Sequence, residues 1–227
     1  MEQAAAQLEL RLQGVRESVG DACREAGREP TDVTTIVVTK FHPVALVRQL
    51  HALGVRDFGE NRHQEARDKA ATTADLDLRW HFVGQLQSKK ARQARAYASV
   101  IHSLDRPSVV EALTSDDDDV DCFVQLNLTG DPNRGGIEDV DLERLAERVL
   151  LTPGLNLLGV MAVAPLGVEP RSAFAQVRKA SERVAALAPA ATFISAGMSA
   201  DFREAILEGA THLRIGSAIT GNRPTPG

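Results

Sequence analysis

The strongest constraint on this chain is an alternation that begins at Val33. Short apolar, β-branched runs fall at 33–39, 55–58, 80–83, 99–103, 121–128, 157–163, 192–195 and 212–215. Longer amphipathic segments lie between them, at 43–53, 61–73, 86–97, 106–114, 138–151, 170–187 and 200–208. Strands separated by helices run parallel, because a parallel pair needs a crossover that a tight turn cannot supply. Eight such strands predict an α/β fold, a closed (β/α)8 TIM barrel, with a doubly wound open sheet as the alternative. Residues 3–26 precede the alternation and carry Leu8, Leu12, Val15, Val19 and Cys23 at helical spacing, so an additional N-terminal helix is expected. Gly27 and Pro30 end it. At 227 residues, with no composition shift to mark a linker, the chain reads as a single domain spanning 1–227.

In a parallel barrel, chemistry gathers where strands end and helices begin. The first such point carries Lys40, between the run ending at Thr39 and the helical pattern opened by Pro43. A strand-end lysine is either a solvated cation or, where desolvated, a nucleophile toward carbonyls. After the second run, Gly59 permits a turn into Glu60 and Asn61, which suit helix capping and ligand contact equally. His81 alternates with apolar neighbours beside the sole tryptophan, Trp80, so it points into the interior, where a hydrogen-bonded core role competes with a site role. Gln125 and Asn127 precede Asn133-Arg134-Gly135-Gly136, a loop placed to close over a site.

The last two strand ends are more specific. Ser195-Ala196-Gly197-Met198-Ser199 is a small-residue turn leading into a helix, with Asp201 in its first turn. Arg214-Ile215-Gly216-Ser217 closes the final strand. Exposed backbone N–H groups beside small side chains make a phosphate cradle, and barrels build it from the loops after strands seven and eight. An amine facing a separate phosphate anchor suits a sugar phosphate or pyridoxal 5′-phosphate (PLP), each held through a Schiff base. Arg214 helps to choose: pointing inward, it could face the pyridine nitrogen of PLP, and a guanidinium there keeps that nitrogen unprotonated.

The bulk properties exclude several alternatives. A net charge of −5 offers no basic excess for nucleic acid. No stretch is apolar enough for a membrane span or signal peptide, so a cytoplasmic protein is expected. Cys23 and Cys122 lie too far apart for a metal or redox motif and read as reduced thiols. The run Ser115 to Asp119 reads as a solvated loop on the face opposite the strand ends.

The chain resembles the pyridoxal-phosphate homeostasis proteins, single-domain relatives of the alanine racemase N-terminal barrel. The likeness runs from about residue 8 to residue 223. It rests on Val38-Thr39-Lys40, Phe58-Gly59-Glu60-Asn61 with Gln64-Glu65, Trp80-His81-Phe82-Val83-Gly84 with Leu86-Gln87, Gly159-Val160-Met161, Gly197-Met198-Ser199 with Asp201, and Arg214-Ile215-Gly216 with Gly221 and Arg223. The resemblance implies PLP bound covalently to Lys40 as an aldimine. It implies Ser199, Gly216 and Ser217 at the phosphate, Arg214 near the pyridine nitrogen, Asn61 beside the ring, and His81 and Met161 lining the pocket. It further implies a role in vitamin B6 homeostasis that affects amino-acid and keto-acid balance, without established turnover and with no catalytic or metal-ligating residue. Apo PLP-dependent enzymes are the expected recipients. The alanine racemase β-domain, which supplies a catalytic tyrosine to the partner subunit, has no counterpart here, so a monomer is expected. The sole tyrosine, Tyr97, falls in a helical segment. A weakly active racemase or lyase is the alternative. Ser217 stands where the family usually has threonine, Arg134 where it has lysine, and Thr220 where it has an aromatic residue. His63 replaces a usual aliphatic residue, and Ala196 a usual methionine.

Overall fold

Each apolar run becomes a short parallel strand, and the strands close on themselves. The computed structural model describes residues 2–131 and 133–222, so Arg223 lies outside the described residues. Helix α1 (Glu2–Glu25) is followed by β1 (Thr34–Val38), α2 (Val44–Ala52), β2 (Asp57–Glu60), α3 (His63–Thr72), β3 (Arg79–Phe82), α4 (Ala91–Arg95) and β4 (Val100–Leu104). Then come α5 (Pro107–Ala112), β5 (Val120–Leu126), α6 (Leu142–Leu150), β6 (Leu155–Ala162), α7 (Pro170–Leu187), β7 (Phe193–Ser195), α8 (Phe202–Leu207), β8 (His212–Ile215) and α9 (Ser217–Thr220). Strand order follows the sequence, and β8 returns to β1 in the register Thr34↔His212 to Val37↔Ile215. The sheet is a closed barrel with no free edge, which rules out the open alternative.

Strand alternation separates two environments. Val37, Phe58, Trp80, Phe82, Ile101, Val124, Val160, Ile194 and Leu213 face the helices and form the main core with them. The interior holds Val100, Phe123 and Met161 together with buried polar groups, among them His81, His102, Ser195, His212 and Arg214. Phe123 stacks on His102 at 4.7 Å between ring centroids and meets the edge of His212 at 5.2 Å.

The expected stripe on α1 is buried throughout, from Leu8 to Cys23. It packs against α8 and α9, and Arg11 Nε donates to the Ile219 carbonyl at 2.7 Å. Two elements differ from expectation. Strand β2 ends at Glu60, so Gly59 and Glu60 belong to the wall rather than to the turn. The segment 86–97 is helical only at Ser88–Lys90 and in α4, because Gln87 is extended and Leu86 is sunk into the core. The acidic run precedes β5, far from the strand C-termini, and Asp118 pairs with Arg95. Among the described residues no helix is long and apolar enough to cross a membrane.

Candidate functional site

Strand β1 ends at Val38, and the chain turns at once through Thr39, Lys40 and Phe41. The turn is fixed from both sides. Thr39 donates its N–H to the Gly59 carbonyl at 3.0 Å, and its own carbonyl accepts from Lys69 Nζ at 2.8 Å. Phe41 N–H donates to Glu65 Oε1 at 2.6 Å while its φ is 69°. A bulky residue in that left-handed region is strained, and the surrounding bonds must hold it there. Lys69 Nζ also reaches Glu60 Oε1 at 2.6 Å and Glu65 Oε1 at 2.7 Å, and Thr39 Oγ1 donates to Glu60 at 2.8 Å. Burial raises the Glu60 pKa, and the Lys69 ammonium offsets that only in part. Lys40 is exposed in this frame.

Around Lys40 lies a cavity of about 410 Å³ at the strand C-termini. Asn61, Ser199, Arg214, Gly216 and Ser217 line it with Lys40, so six of the eight expected site residues share one space. Larger depressions of about 460, 470 and 530 Å³ contain neither Lys40, Ser199 nor Arg214, although the one of 470 Å³ shares Asn61 with this cavity.

Two glycines permit the construction. A Cβ on Gly84 would lie 2.2 Å from the Asn61 carbonyl oxygen, so glycine alone lets the loops after β2 and β3 touch. Gly197 has φ of +90°, and a Cβ there would meet Ala205 Cβ at 2.7 Å. Its turn is closed by Met198 N–H donating to Asp201 Oδ1 at 2.6 Å. That places Ser199, whose Oγ accepts from Ala218 N–H at 3.3 Å and keeps its own hydrogen available. The N–H groups of Gly216 and Ser217 have no protein partner among the described residues. Three donors thus converge where an anion would sit.

Arg214 rises from inside β8 into the cavity wall. Nη1 donates to Ser195 Oγ at 2.6 Å and Nη2 to the Ala162 carbonyl at 2.8 Å. Nε is the guanidinium nitrogen left without a protein partner among the described residues. Burial lowers the Arg214 pKa to about 10, so it remains a cation at neutral pH. Asn61 Oδ1 is a buried acceptor without a partner among the described residues, on a residue that lines this cavity and the neighbouring one.

The remaining two expected residues do not line this cavity. Met161 is buried against Val100 and Phe123. His81 is buried between Asp57 Oδ1, at 2.9 Å from Nε2, and His102 Nε2, at 3.0 Å from Nδ1. The loop 133–136 folds along the end of β5, where Ile137 N–H donates to the Gln125 carbonyl, and lines a smaller pocket that shares only Val163 with the main one. Sequence reading passed over Ser195 as an Arg214 ligand and His102 altogether. The signal for His102 was present, as a His-Ser pair inside the apolar run of β4.

The model for the alanine racemase N-terminal domain matches residues 21–224. A pyridoxal phosphate homeostasis protein of Corynebacterium glutamicum is 40% identical over 211 residues, 88% of this chain and 95% of that protein. Its counterpart in Pseudomonas aeruginosa is 38% identical over 209 residues, covering 90% of this chain and 91% of its own. Among solved structures, PipY of Synechococcus elongatus with PLP bound superposes with a TM-score of 0.82 at 34% identity, covering 95% of this chain and all of that one. With its closed parallel barrel and its length both matched, the chain belongs to the alanine racemase N-terminal domain family and, within it, to the pyridoxal phosphate homeostasis proteins.

Proposed function

We propose that the protein binds PLP in the Lys40 cavity and serves vitamin B6 homeostasis as a carrier. The observation that carries this reading is the convergence of an amine, a guanidinium and a three-donor anion cradle on one cavity of about 410 Å³. That volume suits a small cofactor. Bound there, PLP supplies an aldehyde conjugated to an electron-withdrawing ring. Lys40 Nζ is the amine that would hold it covalently through that aldehyde. Ser199 Oγ and the N–H groups of Gly216 and Ser217 hold the phosphate, and Asn61 contacts the ring. Arg214, whose Nε–H has no partner among the described residues, would meet the pyridine nitrogen, and a cationic donor there would leave that nitrogen unprotonated and the ring a weak electron sink.

The carrier reading draws support from the cavity lining, which among the described residues contains no His, Asp, Glu, Tyr or Cys. Racemisation needs a second acid/base on the far face of the substrate. The likeness to PipY with PLP bound and to relatives named for PLP homeostasis supports PLP binding and a homeostasis role. The reading extends to a cytoplasmic monomer that passes PLP to apo enzymes. Light scattering on the purified chain tests the monomer, and PLP transfer to an apo-transaminase across a dialysis-free mixing assay tests the hand-over.

Purified protein reconstituted with PLP is expected to absorb visible light, and Lys40→Ala to lose that band. An unchanged spectrum in the variant removes Lys40 as the anchor. Reproducible amino-acid racemisation that disappears with Lys40 would replace the carrier by an enzyme.

A further inference from the structure

The interior of the barrel contains a line of polar side chains that the cofactor reading does not use. It starts at Arg214, at the cavity, and ends at Asp57, the first residue of β2 and therefore at the opposite end of the barrel. Arg214 Nη1 lies 2.6 Å from Ser195 Oγ, which lies 2.8 Å from His102 Nδ1. His102 Nε2 lies 3.0 Å from His81 Nδ1, and His81 Nε2 lies 2.9 Å from Asp57 Oδ1. The four linking side chains come from β2, β3, β4 and β7, so no local sequence feature joins them.

The ends dictate how the hydrogens point. A guanidinium only donates and a carboxylate only accepts. Asp57 therefore receives Nε2–H of His81, whose Nδ1 must accept from Nε2–H of His102. His102 Nδ1 must then accept from the Ser195 hydroxyl, which leaves that oxygen to accept from Arg214. With both imidazoles neutral one arrangement satisfies every atom; the Asp57 carboxylate requires it, and the Arg214 end accommodates it.

We propose that Ser195, His102, His81 and Asp57 are positioning residues that form a one-way hydrogen-bond chain, fixing the Arg214 guanidinium in orientation and charge from the far end of the barrel. That Arg214 then meets a pyridine nitrogen rests on the PLP reading; the chain itself does not. Burial holds both imidazoles neutral, as the arrangement needs, against the opposing pull of Asp57 on His81. The groups facing the pair are Asp57, Arg79, Asp121, His212 and Arg214. For Asp57, burial raises the pKa, but the hydrogen bond from His81 and the nearby Arg79 charge oppose it, and the net direction is downward, toward an ionised carboxyl. A proton added to either imidazole sets two N–H groups against each other or turns the Ser195 hydroxyl away from His102. Either event breaks the ordered chain between Asp57 and the Ser195 oxygen that Arg214 is bonded to.

Nitrogen-15 NMR of the ligand-free full chain is the test. His81 and His102 are both expected as neutral Nε2–H tautomers at neutral pH, and the Arg214 Nη protons as separate, slowly rotating signals. Ser195→Ala removes one link and leaves the histidine pair and Asp57 in place; it should collapse the Arg214 signals to their average. His102→Phe keeps the ring that stacks on Phe123 and should do the same. In both variants PLP affinity should fall about tenfold, the loss of one hydrogen bond to a charged group. An Nδ1–H tautomer at either histidine, or Arg214 signals unchanged in both variants, overturns the chain. Expected NMR signatures in a wild-type protein that fails to take up PLP would sustain the chain and dismiss the cofactor reading instead.

Discussion

Lys40 is held in place by residues it does not touch. The backbone on either side of it is bonded to Lys69 and Glu65, and Lys69 balances the buried Glu60. Lys69→Met would leave Glu60 buried without its partner, a change that costs about 3–5 kcal/mol in other proteins. Chemical denaturation should show that loss, and adding Glu60→Gln should recover part of it, since the carboxylate is already disfavoured by burial. Gly84→Ala drives a methyl into the Asn61 carbonyl and should destabilise by about 1–3 kcal/mol. PLP titration should show weaker binding in the same variant, because Asn61 lines the cavity. A Gly84→Ala protein with unaltered melting temperature and affinity would mean that the two loops are free to part.

Helix α1 lies outside the alternating pattern, yet it supports the anion cradle. Its buried stripe packs on α8 and α9, and Arg11 bonds the last turn of α9 directly behind Gly216 and Ser217. Leu12 is buried on that stripe, so Leu12→Ala should cost about 2–5 kcal/mol through lost burial and the cavity left behind. Arg11→Ala removes a bond to α9 without touching the core, and should weaken phosphate and PLP binding while leaving the urea midpoint nearly unchanged. Helix α7 offers a control far from the site. Glu169 caps it by accepting from Arg171 and Ser172 N–H at 2.9 and 2.7 Å, and Glu169→Ala should cost about 1 kcal/mol with no effect on ligand affinity.

For the whole molecule, the polar interior makes stability depend on pH. Burial lowers the pKa of His81, His102 and His212, the last from 6.5 to about 4. Such groups bind protons more tightly when the chain is unfolded, so their stabilisation is complete above pH 6.5 and is lost as pH falls toward 4. At about 1.4 kcal/mol per unit, His212 alone accounts for roughly 3 kcal/mol over that window. Urea midpoints measured between those limits should fall steadily, and His212→Phe should flatten the slope. A midpoint constant over the window would place these histidines in contact with water.

Local pattern carried much of this architecture. The alternation of β-branched runs and amphipathic segments determined a parallel (β/α)8 order, because parallel strands admit only crossover connections. The small residues at 197–199 and 216–217 and the lysine at 40 were legible as strand-end chemistry, and six of the eight expected residues do share one cavity. What the chain order could not express is the direction of a side chain inside a closed sheet. His81 and Met161 stand on the expected strands but are buried away from the cavity lining. Ser195, His102, His81 and Asp57, up to 138 positions apart from first to last, join only when the barrel closes and their alternation points them all inward. Periodicity decides which residues lie along an element; closure decides which of them meet.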